Sequence, residues 1–229
     1  MAAPTVSAGT AAAAVWDNRR MSPQSKYLSI AFFCIVGIAG AAAALFWRHS
    51  AAPVELTTGT YLSPSRELAD FSLIDHHGRT FGPANLTGSW SMLFFGYTNC
   101  PDFCPTTLTT LAALEKRLRA SAAPVRPRVI FMSVDAKRDT PEQLAKYVPY
   151  FDPEFIGITA TDQPTIEAVA AKLGVSVVIT PQSDGTYTVD HSGAIFVLNP
   201  AGRLVAILTG PFTVDALAAD FQRIVAGHA

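Results

Sequence analysis

A mixed α/β sandwich is the fold class this chain predicts, and three observations predict it. The apolar run Met92-Leu93-Phe94-Phe95 breaks after Gly96 into a turn with two cysteines and two prolines, then into Leu108, Leu111, Leu114 and Leu118 at helical spacing. That succession is buried strand, loop and helix. A second apolar run, Val129 to Val134, lies between Pro127 and Asp135 and reads as a buried strand of a mainly parallel sheet. Strand and helix patterns continue to alternate beyond it, as βαβ units require. The composition adds limits. Seventeen Lys and Arg against eighteen Asp and Glu give a net charge of −1 without a dense basic cluster, so no nucleic-acid partner is expected. Only three cysteines occur, too few for a disulfide framework of the small secreted kind.

Residues 1–26 are rich in Ala, Ser, Thr and Pro without apolar periodicity, and are expected to be a disordered tail. From Tyr27 to Trp47 there are 21 residues without a charge, enough at about 1.5 Å per residue to cross a hydrocarbon core of about 30 Å as one transmembrane helix. Tyr27 and Trp47 stand where interfacial aromatics belong. Arg19, Arg20 and Lys26 precede the segment, whereas Arg48 and Glu55 follow it, which places the N-terminus in the cytoplasm or its equivalent. A cleaved signal peptide is the alternative, since Ala41 to Ala44 are small, but the stretch exceeds the usual apolar core of about 7 to 15 residues. Cys34 inside it reads as a lipid-facing apolar residue. Residues 48–66, with Pro53 and Pro64 among Ser, Thr and Gly, read as a tether. The folded domain is expected over 67–229.

Phe71 and Leu73 alternate with polar neighbours, Asp75 to Gly78 has turn chemistry, and Thr80-Phe81 follows. A small N-terminal hairpin therefore precedes the central strand. His76 and His77 are expected to be exposed turn residues, because adjacent side chains of a strand point to opposite faces and chelate poorly. Pro105 can open the helix after the central strand. Thr140-Pro141-Glu142-Gln143 spells a capped helix start, with Gln143 placed to complete a capping box. Phe155 to Ile158 is a short strand. Ile166, Val169, Ala170 and Leu173 form a helical stripe that Gly174 ends. Val175 to Ile179 is another strand. Tyr187 to Asn199 carries His191 at the start of an apolar strand, and Asn199 to Gly202 turns the chain into Arg203 to Leu208, a β-hairpin. Thr213 caps a last helix with Leu217, Phe221 and Ile224 inward. This order predicts a thioredoxin-like sandwich with an extra N-terminal hairpin and an inserted β-hairpin.

The chemistry is concentrated at Cys100 and Cys104. Both fall at or just before a helix N-terminus, where the dipole and free N–H groups favour a thiolate. On a helical turn, residues four apart have Cβ atoms about 5 to 6 Å apart, within reach of one metal ion. A disulfide wants about 3.8 Å, so an intact turn disfavours it and a loop would permit it reversibly. Two thiolates suit Cu(I), and an added imidazole gives a set that holds Cu(II), or Zn(II) with a fourth ligand. Among five histidines, His191 is the best third ligand, since His49 and His228 lie near tethers or ends. Residue chemistry alone leaves these metals, and a purely structural His191, open.

Tyr97-Thr98-Asn99-Cys100-Pro101-Asp102-Phe103-Cys104-Pro105, then Ser133-Val134-Asp135 through Arg138-Asp139-Thr140-Pro141, then Val189-Asp190-His191-Ser192 resemble the motifs of the Sco/SenC family, membrane-tethered copper proteins of cytochrome c oxidase assembly. The resemblance covers about residues 67–227. It implies that Cys100, Cys104 and His191 bind one copper ion, as Cu(I) or Cu(II), taken from an upstream copper donor and delivered to the oxidase subunit carrying the Cu(A) site. Ala136 stands where the family often has Pro. The family's placement, in the periplasm on the inner membrane or in the equivalent mitochondrial space, agrees with the orientation read from the charges.

The competing reading is a thiol-disulfide oxidoreductase that keeps the oxidase cysteines reduced, with Cys100 and Cys104 as its catalytic pair. Its weakness is spacing, because thioredoxin-type pairs are Cys-x-x-Cys. A peroxidase reading leaves the second cysteine and His191 unexplained. A carrier is not an enzyme, whereas the reductase is. Asp102, Asp135 and Asp139 are candidates for supporting the ligands or docking a partner, although capping and turn roles account equally well for Asp135 and Asp139. The charge asymmetry yields a test of topology. An export-dependent reporter fused after Ala229 should be active and a cytoplasm-dependent one silent; the reverse pattern overturns the orientation.

Overall fold

The computed structural model describes residues 32–40 and 54–228. Met1–Ala52 and Pro53–Ala229 are separate units. Residues 32–40 are helical and exposed, Cys34 among them. Among the described residues no helix is long and apolar enough to cross a membrane; most of the expected 27–47 span, and the expected tail over 1–26, lie outside them.

The second unit runs β1 (Gly59–Arg66), β2 (Leu73–Asp75), β3 (Thr80–Phe81), a 3-10 turn (Pro83–Leu86), β4 (Ser91–Gly96), α1 (Phe103–Ala120), β5 (Arg128–Ser133), α2 (Pro141–Phe151), β6 (Ile156–Thr159), α3 (Gln163–Lys172), β7 (Val177–Pro181), β8 (Tyr187–His191), β9 (Ile195–Leu198), β10 (Leu204–Leu208) and α4 (Val214–Ala226). Eight strands form one sheet in the order β1-β10-β9-β4-β5-β6-β2-β3, and β7-β8 form a second, two-stranded sheet. Every residue of β4 is buried. Its alternation sends Met92 and Phe94 to one face, against Leu108, Leu111 and Leu114 of α1 and Leu217 and Phe221 of α4. Leu93 and Phe95 go to the other, with Ile166, Val169 and Ala170 of α3. Covering both faces of a strand is what a continuous apolar run requires.

The expected caps at Thr140 and Thr213 are present, although the Gln143 side chain does not close the expected capping box. Thr140 Oγ1 accepts from the Gln143 N–H, Thr213 Oγ1 accepts from the Ala216 N–H, and Gly174 ends its helix at φ 79°.

Several expectations are corrected. The sheet is mixed rather than mainly parallel: only β4-β5 and β5-β6 are parallel, because helical crossovers join those strands while hairpins supply the antiparallel flanks. Residues 59–66, read as the end of a tether, are β1, paired antiparallel with β10 across an irregularity between Tyr61 and Arg66. An edge strand with a polar face and a proline looks like a linker in sequence. The helix opens at Phe103 behind Asp102, two residues before Pro105, whose missing N–H is among those a first turn leaves unpaired anyway. Tyr187 to Asn199 is not one strand. It is divided into β8 and β9 at Ser192–Ala194, so His191 ends one strand rather than starting the next. His76 is buried and its Nδ1 accepts from the Gly157 N–H at 2.8 Å, while His77 is exposed.

Asp220 on α4 fastens the start of this unit. Its carboxylate has no solvent exposure and accepts from the Thr57 N–H at 2.9 Å, the Thr58 N–H at 2.7 Å and Thr58 Oγ1 at 2.7 Å. Burial alone would raise its pKa; these bonds and Arg223 overcome that and hold it below the ordinary value. A depressed folded-state pKa means stability that is complete above the unfolded value of about 3.9 and is lost as pH falls through the folded one. Asp220→Ala should cost on the order of 2–4 kcal/mol by urea unfolding at neutral pH, because four donors lose their acceptor. The gap from the parent protein should narrow below about pH 4.

Candidate functional site

The chain leaves the sheet where β4 ends. Gly96 gives way to a turn in which the Cys100 N–H donates to the Tyr97 carbonyl at 3.1 Å, and α1 starts three residues later. Cys104 therefore sits in the first turn of α1. Its own N–H points at Cys100 Sγ, 3.4 Å away. Both cysteines are free thiols; Cys104 has no solvent exposure and Cys100 is half-buried. This packing needs a glycine at 96, because a Cβ there would lie 2.5 Å from the Phe131 ring and 3.1 Å from Cys104 Sγ. Gly193 meets the same demand from the other side, since a Cβ would lie 2.6 Å from the Phe103 ring.

His191, at the end of β8, brings its Nε2 to 4.0 Å from Cys104 Sγ. Its Nδ1 lies 2.9 Å from the Ser192 carbonyl. A carbonyl only accepts, so Nδ1 carries the proton and the Nε2 lone pair faces the thiol. The Tyr97 ring stands edge-on to the imidazole, centroids 6.0 Å apart. Burial pulls the His191 pKa down, against opposing pulls from the Ser192 carbonyl and Asp190. Burial pushes the Cys104 thiol well up, and a hydrogen bond with the Tyr97 backbone offsets only part of that. Both groups are neutral at neutral pH. At Cys104 burial therefore works against the thiolate that a helix N-terminus favours.

A polar network lies beneath. Asp139, fully buried, accepts from the Thr98 N–H at 3.0 Å, Thr98 Oγ1 at 2.6 Å and Ser133 Oγ at 2.7 Å, joining the thiol-bearing turn to the end of β5. Burial raises its pKa, and the Thr98 and Ser133 hydroxyls oppose the rise. Asp135 accepts from Tyr187 Oη at 2.8 Å and pairs with Arg138. The roles of Ser133, Arg138 and Tyr187 are not visible in sequence, where only spacing within the motif hints at them.

Cys100, His191, Tyr97, Phe103 and Gly193 line one open cleft. Among the described residues, no three His, Cys, Asp or Glu side chains converge closely enough to form a ready metal site. Cys104 and His191 face each other, while Cys100 is turned toward the Cys104 amide. Asp102 is exposed at the head of α1 and bonds Thr106. His228 is elsewhere, bonded to Asn199.

Two soft sulfurs at a strand-to-helix junction and a neutral imidazole on a separate hairpin define the class: a thioredoxin-like domain with a dithiol and a histidine close together, Cys100 and His191 in the cleft and Cys104 buried behind them. The family model described as SCO1/SenC matches residues 60–226, and the chain belongs to that family. Protein SCO1 homolog 1, mitochondrial, of Arabidopsis thaliana is 38% identical over 148 residues, covering 64% of this chain and 43% of that protein. Protein SCO2 homolog, mitochondrial, of Bos taurus is 40% identical over 136 residues, covering 58% and 50%. The chain thus spans half or less of these two relatives. The crystal structure of Arabidopsis thaliana ScoI with copper bound aligns with a TM-score of 0.66 and 34% identity, over 69% of this chain and 98% of that one.

The tightness at Gly96 is testable. Gly96→Ala should destabilise the domain by about 1–3 kcal/mol, the usual penalty for overfilling a packed core, measured by urea unfolding.

Proposed function

We propose that the protein is a membrane-tethered copper carrier. Cys100, Cys104 and His191 take one copper ion, as Cu(I) or Cu(II), from an upstream donor, and the domain passes it to the cytochrome c oxidase subunit that carries the Cu(A) site. The domain faces the periplasm from the inner membrane, or the equivalent mitochondrial compartment. The observation that carries this reading is the 4.0 Å approach of His191 Nε2 to Cys104 Sγ, with Nδ1 committed to a carbonyl so that the free lone pair faces the sulfur. Membership of the SCO1/SenC family supports it, as does the copper bound in the Arabidopsis and Bradyrhizobium japonicum ScoI structures, each 34% identical to this chain.

The donor set fits the cargo. Thiolates are soft and suit Cu(I), and a neutral imidazole adds the nitrogen that Cu(II) prefers. Cys100 is the more accessible sulfur and lines the cleft, so it is the natural point of entry and exit. Cys104, fully buried, and His191, half-buried, are both neutral and are not held as a charged pair at rest; a bound cation would compensate the thiolate that burial otherwise disfavours.

One observation favours a thiol-disulfide reductase instead: the two cysteines are both free, and a helix N-terminal amide points at Cys100 Sγ. The spacing opposes it, since thioredoxin-type pairs are Cys-x-x-Cys and here three residues separate Cys100 from Cys104.

Replacing either Cys100 or Cys104 by Ser should release Cu(I) to a competing chelator, because a hydroxyl is hard and poorly ionised. His191→Ala should lose stable Cu(II) while keeping weaker Cu(I). In cells with limiting copper, oxidase assembly should need His191 as much as Cys100. Full assembly with His191→Ala would put the reductase in the carrier's place.

A further inference from the structure

The hairpin that carries His191 is not hydrogen-bonded into the eight-stranded sheet; β7 and β8 pair only with each other. Within β8 only Val189 is buried. A two-stranded ribbon is marginally stable by itself, so other contacts must fix where the imidazole stands. Several of them meet at Arg138. Its guanidinium lies 3.8 Å from the centre of the Tyr187 ring and 5.4 Å from that of Tyr97. Its Nη1 donates to the Tyr187 carbonyl at 3.1 Å, and its Nε pairs with Asp135, which also accepts from Tyr187 Oη at 2.8 Å. Tyr97 begins the turn that carries Cys100, and Tyr187 begins the strand that carries His191. One planar cation thus touches both halves of the site, and it is held by a carboxylate with 1% exposure.

We propose that Arg138, stacked between Tyr187 and Tyr97 and anchored by Asp135, is a positioning residue that sets the His191 hairpin against the thiols. The proposal rests on the copper reading for its consequence but not for its geometry. Stacking on aromatic faces together with in-plane hydrogen bonds is a role for a guanidinium, and an ammonium cannot reproduce it.

The test uses the full chain with two readouts. In the apo protein, backbone hydrogen exchange across Tyr187–His191 should quicken in Arg138→Ala. In the copper-loaded protein, Cu(II) affinity and the Cu(II)–thiolate absorption should fall, the affinity on the order of ten- to a hundredfold as for other partners that orient a ligand. Cu(I), which two thiolates satisfy, should hold nearly unchanged. Arg138→Lys should resemble Arg138→Ala for Cu(II), since it keeps the charge and loses the plane. Tyr187→Phe, which removes only the hydroxyl bonded to Asp135, gives a milder variant with an intermediate loss should Arg138→Ala fail to fold. Unchanged exchange with unchanged Cu(II) overturns the proposal, as does an equal fall for Cu(I) and Cu(II), which would mean general damage. His191→Ala is measured alongside. Should it keep its Cu(II), the copper reading fails, and apo exchange decides the clamp: faster exchange in Arg138→Ala upholds it, unchanged exchange removes it.

Discussion

Because β4 is buried at every residue, polar chemistry can be placed only where the strand stops. An apolar strand covered on both faces leaves no room along its length for thiols, imidazoles or carboxylates. Its C-terminal end, where the chain crosses to α1, is the nearest place where solvent and helix N–H groups are both within reach. In sheets with parallel crossovers, ligand sites gather at that edge for this reason. The close approach at Gly96 follows from the same constraint. It lets the first turn of α1 settle onto the end of β4, so that Cys104 is packed like a core residue while Cys100, one turn earlier, remains in the cleft.

Burial also decides the electrostatics. A hydrogen bond with the Tyr97 backbone acts to favour a thiolate at Cys104, yet burial prevails and pushes the thiol pKa up. At Asp139 burial likewise prevails and raises the pKa, although three hydrogen bonds oppose it. Asp220 is equally shielded from solvent but goes the other way, because two backbone amides, a hydroxyl and Arg223 all converge on its carboxylate. Two backbone amides and a hydroxyl do most of this at Asp220 and Arg223 adds to them, whereas Asp139 receives one backbone amide and two hydroxyls and has Asp135 nearby, another negative group.

Much of the frame was legible from sequence because its signals are local. The runs that became β4 and β5, the leucine stripe of α1, and the caps at Thr140 and Thr213 each depend on residues within a turn or two. Cys100, Cys104 and His191 were legible as one candidate set by their chemistry and by the family motifs; Cys100 and His191 line one cleft, and Cys104 is buried beside His191. What escaped depends on distant partners. β1 has a polar face and Pro64, and only its pairing with β10 makes it a strand. Asp139 binds Thr98 41 residues away, and Asp135 binds Tyr187 52 residues away, so in sequence both looked like ordinary turn and capping residues. At the break between β8 and β9, Gly193 lies close against the Phe103 ring, a contact that no periodicity encodes.

The two halves of the site are held with unequal firmness. The thiols stand on a junction backed by six registered pairs between β4 and β5 and by the core itself, so displacing them means opening the domain. His191 stands on a five-pair ribbon secured to the rest by Val189 and the contacts around Arg138, Asp135 and Tyr187. Segments with few buried apolar contacts open at far lower free energy than the core. Under the proposed copper-carrier reading this inequality would have a direction. The sulfurs would be the fixed ligands and the imidazole the one whose position depends on the ribbon, so exchange of that third ligand would ask for a local rearrangement of β7-β8 rather than opening of the core.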